Sequence, residues 1–142
     1  EKITPIYMDF SEANKYSWLK VLLMSSDEAL LRELKSYMLA NKPEACSYVV
    51  SDPIFYEVMP NGISKASGLC RLREICYTEK GKTFSIGNYY NDIEMITAAD
   101  IGAITPDAPE ELKIKADFIT GDAKNGAVAD FIEYLERVIK KG

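Results

Sequence analysis

"TFSIGNYYNDIEMITAADIGAIT", Thr83 to Thr105, decides the fold. Thr83 to Gly87 is a short β-rich run closed by glycine. Asn91 to Ala99 carries helical spacing, and Ile101 to Thr105 is a second β-rich run. A strand, a polar turn, a helix and another strand in so short a space point to a parallel α/β sheet. The turn holds Asn88, Asn91 and Asp92, so it is also the first place to look for chemistry.

The alternation continues downstream. "PEELKIKA" (109–116) is a short helix with Pro109 at its first position, and "DFIT" (117–120) is a short strand. Gly126 to Lys141 is a helix with Val128, Phe131, Leu135 and Val138 inward. Immediately upstream, Ser64 to Tyr77 is a helix with Leu69, Leu72, Ile75 and Cys76 on one face. "PNGIS" (60–64) is a turn and a boundary between two lobes.

Before that turn the pattern changes. "CSYVVSDPIFYEVMP" (46–60) reads as a hairpin around Ser51-Asp52-Pro53. "SSDEALLRELKSYMLANKP" reads as a helix, with Ser25 and Glu28 at capping-box spacing and Leu30, Leu31, Leu34 and Met38 recurring on one side. The apolar run "LKVLLMS" (19–25) predicts a buried strand. Three short strands make a poor free-standing parallel sheet, so "TFSIG" calls for a further neighbour, from the first lobe or from outside this chain.

Composition narrows the function. The chain has 142 residues, 47% hydrophobic and 27% charged, a globular balance. A net charge of −5 without a block of basic residues argues against nucleic-acid binding. No apolar run reaches the roughly eighteen residues of a membrane-spanning helix. "EKITPIYMDF" has neither a signal-peptide core nor an initiator Met, as expected of a processed or trimmed chain. Cys46, Cys70 and Cys76 lack C-x-x-C spacing, which predicts reduced thiols in a cytoplasmic protein. With no histidine, Ser-His and Cys-His pairs are excluded, and chemistry falls to carboxylates, Lys, Ser/Thr or a cofactor.

Three segments have both a structural and a functional reading. In "GNYYND", Asn91 caps the next helix with Glu94 three residues on, or the loop faces a metal or phosphate. In "GISKAS", Lys65 stands in the first turn of a helix, where the dipole disfavours it; it is a solvated surface residue or it neutralises an anion. "TGDAKNGAV" (120–128) is a Gly-rich loop without Walker or G-x-G-x-x-G spacing. The nine tyrosines suit core and interface better than base stacking.

In this order, "EVMPNGISKASGLCRLREI", "TFSIGNYYNDIEMITAADIGAITPDAPEELKIKADFIT" and "NGAVADFIEYL" resemble the C-terminal half of a haloacid dehalogenase-like hydrolase, nearest the Cof-type sugar-phosphate phosphatases. That family's pattern is a helix opened by S-K-G, a strand ending in G-D-x-x-N-D, an N-A-P-E-like turn, and an A-D-x-x-T strand. The likeness covers residues 55–142 well and 19–54 more loosely. It implies a Rossmann-like core over 60–142 and the remainder of an α/β cap over 1–59. It also implies Mg²⁺-dependent hydrolysis of a phosphorylated small molecule, such as a sugar phosphate, through an aspartyl-phosphate. Lys65 would be the catalytic lysine that neutralises nucleophile and phosphoryl group. Asn88 and Asp92 would stand at the metal site, with Asn91 joining Asp92 in fixing that site and the lysine.

Two departures follow. Asn88 stands where the family has a metal-binding Asp, and the nucleophile loop D-x-D-G-T is absent, Asp9 in "YMDFSE" being in the wrong context. The expectation is a chain inactive by itself, without its N-terminal portion. The alternative is a non-catalytic module that self-associates, or pairs with an N-terminal fragment, through an open sheet edge.

Overall fold

The computed structural model describes residues 4–41, 43–76 and 81–140. The expected helix ends at Tyr77 and Lys141 lie outside the described residues. Two three-stranded sheets organise the chain, one antiparallel and one parallel.

The antiparallel sheet comprises β1 (Val21–Met24), β2 (Cys46–Asp52) and β3 (Phe55–Pro60), with β3 in the middle. β2 and β3 form the expected hairpin. Its tip is pinned by Asp52 Oδ1, which accepts from Ile54 N at 3.1 Å, and a register shift between Val50 and Asp52 bends the strand there. β1 differs from the expectation of a buried strand: only Leu23 is half-buried, because β1 is an edge strand paired on one side.

Helix α1 (Glu28–Ala40) follows β1 and buries the stripe Leu31, Leu34 and Met38 in part, leaving Leu30 exposed. Its cap is Asp27 rather than Ser25. Asp27 Oδ1 accepts from Ala29 N at 2.9 Å and Leu30 N at 3.2 Å, while Ser25 Oγ accepts from Asp27 N at 3.0 Å and orients the cap. The turn out of β3 takes Gly62 to φ 77°, a left-handed conformation that glycine enters without steric cost.

The second sheet is parallel, in the order β4 (Phe84–Gly87), β5 (Ile101–Ile104), β6 (Phe118–Ile119). Around it lie α2 (Lys65–Ile75), α3 (Ile93–Ala98), α4 (Glu110–Lys113) and α5 (Ala127–Ile139). β5 is buried on both faces because successive side chains point opposite ways. Ile104 packs with Ile96, Ala108 and Leu112 on one side; Ala103 packs with Phe131 and Leu135 on the other. The α3 backbone sits directly on β5: a Cβ on Gly102 would stand 2.3 Å from the Ile96 carbonyl oxygen.

Two inward faces differ from expectation. α2 turns Ala66, Ser67, Leu69 and Arg73 inward, and Leu72, Ile75 and Cys76 are exposed. The helix packs on α3, and that contact, rather than the apolar spacing, selects its buried side. On α5, Ala127, Phe131 and Leu135 are buried, whereas Val128 flanks that stripe and Val138 stands in the last turn, both exposed. Among the described residues β4 pairs with β5 alone, so its other edge has no strand beside it.

Candidate functional site

The first turn of α2 and the loops leaving β4 and β5 meet, and Lys65, Asn88, Asn91 and Asp92 lie on them. Ser64 caps α2: its Oγ accepts from Ser67 N at 3.2 Å, and its own N–H donates to Ser67 Oγ at 2.9 Å. This serine pair does the work of a capping box, so Lys65 is left free of any capping duty. Its Nζ donates to Asp92 Oδ1, joining α2 to the loop after β4.

Asp92 is 3% exposed, and its burial is fully compensated. Besides Lys65 on Oδ1, its Oδ2 accepts from Asn88 N at 2.9 Å and Tyr89 N at 3.3 Å. A single 3-10 turn, Tyr90–Asp92, folds the carboxylate back under the end of β4. Gly87 makes room for it: a Cβ there would stand 2.3 Å from Asp92 Cβ.

Asn91 occupies the middle of that 3-10 turn. The residue preceding α3 is Asp92, whose side chain makes no cap bond to α3, so the expected Asn91–Glu94 cap does not form. The carboxylate serves the strand end instead of the helix end.

Asn88 is exposed and its Nδ2 reaches Asp107 Oδ2 at 3.5 Å. Asp107 lies beyond β5, where Thr105 N donates to Gly87 O at 3.1 Å and extends the strand pairing. Thr105 Oγ1 donates to Asp107 Oδ1. That bond, aided by Asn88 and the charge of Lys113 against the penalty of burial, holds the Asp107 carboxyl below its ordinary value of 3.8. Asp107 was not among the residues read as functional from sequence. Its position one strand over, at the carboxyl end of a parallel sheet, is the signal that finds it.

The two tyrosines of the loop pack edge to face, with centroids 5.0 Å apart. Tyr90 Oη donates to Glu111 Oε1; the bond pushes the tyrosine hydroxyl up and the carboxyl down. Burial, with the charges of Asp52 and Glu111, pushes the Tyr89 hydroxyl up. Both rings line a cavity of about 650 Å³ whose other walls come from α1, β2 and β3, including Arg32, Tyr48 and Tyr56.

The remaining candidates are structural. In 120–128, Gly121 N donates to Asp130 Oδ2 at 2.7 Å and Gly126 takes φ 90° to enter α5. Asp9 caps a 3-10 turn over Phe10–Lys15, and its hydrogen bonds from Ser11 hold its carboxyl down.

A divalent cation such as Mg²⁺ takes oxygen ligands and keeps several waters. The Asn88 side-chain oxygen and the Asp107 carboxylate are donors of that type, whereas both Asp92 oxygens are already engaged. Among the described residues no three His, Cys, Asp or Glu side chains gather into a metal cage. The donor set thus fits a cation that draws most of its ligands from water and phosphate.

A family model described as haloacid dehalogenase-like hydrolase matches residues 1–132. The chain belongs to the haloacid dehalogenase-like hydrolases. A hydrolase of that family from Bacteroides thetaiotaomicron superposes with a TM-score of 0.67 at 32% identity, over 82% of this chain and 44% of that one. A subclass IIB sugar phosphatase of the superfamily shares the fold, with a TM-score of 0.76 at 22% identity, over 91% and 47% of the two chains. Phosphoglycolate phosphatase of Methanosarcina acetivorans is 36% identical over 74 residues, 52% of this chain and 33% of that enzyme. This hydrolase-family chain therefore spans a third of that enzyme and under half of either solved structure. Among its described residues no helix is long and apolar enough to cross a membrane.

Proposed function

We propose that the chain supplies the phosphoryl-binding lysine and its support in a phosphatase acting on a phosphorylated small molecule, such as a sugar phosphate. The observation that carries this reading is the Lys65–Asp92 pair. Asp92 is anchored by two backbone N–H groups, while the Lys65 side chain is 51% exposed. One side of the ammonium is held, and the rest faces water, where phosphoryl oxygens would replace solvent. Asp92 is then a positioning residue, and Asn91 shapes the turn that delivers it.

Phosphatases of this superfamily generally use Mg²⁺, which when bound polarises phosphoryl oxygens and screens their charge. Asn88 would face it with a neutral oxygen. Lys65 balances charge on the transferred group, and Asp92 holds the ammonium in place. The stretch 60–142 is then the later part of a Rossmann-like core, and 1–59 the remainder of a cap. The cavity beside Tyr89 and Tyr90 is where the leaving group would lodge. Free Cys46, Cys70 and Cys76 suit the cytoplasm.

No D-x-D occurs in the 142 residues. We expect no turnover of p-nitrophenyl phosphate by this chain with Mg²⁺, but binding of inorganic phosphate that Lys65→Ala abolishes. Turnover that survives both Lys65→Ala and Asp92→Ala would sink the reading. A second reading, a non-catalytic module, draws on the β4 edge. It predicts self-association, which light scattering tests; a monomer at high concentration refutes it.

A further inference from the structure

Four of the nine tyrosines, Tyr48, Tyr56, Tyr89 and Tyr90, stand in the walls of the one cavity of about 650 Å³. Tyr48 and Tyr56 stack with centroids 5.9 Å apart and planes within 8° of parallel. The charged side chains of the wall all come from α1, where Arg32 donates to Glu28 at 3.2 Å. Tyr89 ties the cavity to Lys65. Its ring lines the wall, and its N–H donates at 3.3 Å to Asp92, the carboxylate that holds the lysine. Tyr56 stands apart from the other three. It is 6% exposed, yet among the described residues its hydroxyl has no hydrogen-bond partner. A buried tyrosine hydroxyl ordinarily finds one. The oxygen is not sealed in the core either, so it opens on the cavity. Burial, and then Tyr48, push this hydroxyl up, so at neutral pH it stays a donor.

We infer that this cavity takes a planar aromatic ring carried by the leaving group, with an acceptor atom on the ring's edge receiving the Tyr56 hydroxyl. The inference rests on the phosphatase reading and narrows its substrate class to phosphate esters that carry such a ring. The chemistry of the wall decides between a bare sugar and an aromatic ring. A sugar brings several hydroxyls, and each one buried without a partner is costly. Outside α1 the wall offers few polar side-chain groups beyond the tyrosine hydroxyls, and that of Tyr90 is committed to Glu111. A flat ring has two faces to stack on tyrosine and only a few edge atoms to satisfy. The volume lies within the roughly 300–1,000 Å³ of ordinary ligand sites and leaves room for the chain that joins ring to phosphate.

The probes are ribose 5-phosphate and two esters that add a base to it, AMP and UMP, with binding followed by calorimetry. At least one nucleotide should bind about fivefold or more tighter than ribose 5-phosphate, the low end for one stacked base. Tyr56→Phe keeps the ring and removes the donor, so it should cut that preference by about threefold or more. The same variant should melt no lower than the parent, because in the unliganded chain the hydroxyl has no bond to lose. Nucleotides that bind no better than ribose 5-phosphate overturn the inference. So does a preference that Tyr56→Phe leaves untouched, or a lowered melting temperature, which would reveal a partner for the hydroxyl inside the fold. Inorganic phosphate reports separately on the phosphatase reading, which fails if phosphate binding ignores Lys65→Ala. Adenosine, which carries no phosphate, then still tests the ring site through its dependence on Tyr56.

Discussion

Replacing either partner of the Lys65–Asp92 pair should have unequal effects. Asp92→Asn keeps the shape but removes the charge that two backbone N–H groups lean on. The amide must keep its oxygen toward Asn88 N and Tyr89 N, which turns its NH₂ toward the Lys65 ammonium, donor against donor. A hydrogen bond to a charged group contributes about 1.5–3 kcal/mol and a neutral one about 0.5–1.5, so two downgraded bonds cost about 2–3 kcal/mol. The lost ion pair adds no more than about 1 kcal/mol, since the half-exposed lysine is screened and rehydrates. The total, about 3 kcal/mol, would lower the melting temperature by roughly 10 °C in a chain of this size. Lys65→Met breaks the same ion pair but leaves the carboxylate its two N–H donors, and should cost about 1 kcal/mol. Urea unfolding followed by circular dichroism gives both values, and the double variant gives their coupling, expected near 1 kcal/mol or below. If Lys65→Met proves as damaging as Asp92→Asn, the backbone anchoring of the carboxylate is not what holds the loop.

Gly102→Ala forces a methyl against the α3 backbone and should cost about 1–3 kcal/mol by chemical denaturation, in contrast to a near-neutral Gly68→Ala, which meets open space. Ile104→Ala, at a fully buried position on β5, should cost about 2–5 kcal/mol in the same assay. Glu57 on β3 supplies a pH test. Burial raises its carboxyl, but bonds from Lys20 and Ser51 and the charges of Lys20 and Lys65 outweigh this and set it below its ordinary 4.5. A depressed carboxyl stabilises above its unfolded value and loses that stabilisation as pH falls through the folded one. Glu57→Gln should therefore flatten the stability profile below about pH 4.5; an unchanged acid limb contradicts that role.

The alternation of strands and helices from Lys65 onward was legible because two periodicities, near 2 and near 3.6, are hard to confuse over several turns. The buried side of α2 was not. Its apolar residues Leu72 and Ile75 point one way, while contact with α3 selects Ala66 and Leu69. Asp27 and Ser25 are both good caps within three positions, and only hydrogen-bond geometry separates them. Asn91 and Asp92 pose the same problem at the site: adjacent short oxygen side chains, of which the 3-10 turn buries one. Asp107 escaped notice because its partner lies nineteen residues away on another loop, and strand adjacency is a property of the sheet.

Gly87 gives this site an unusual mutational profile. Lys65 fails by losing atoms; Gly87 fails by gaining them, because the Asp92 carboxylate occupies the volume that any side chain there would need. No replacement is conservative at such a position, however small or polar. Every missense change at Gly87 is in effect also a change at Asp92. In a population of related sequences, a non-glycine residue here would mark a loop that had already given up its anchored carboxylate, even where the lysine and the aspartate are still spelled out.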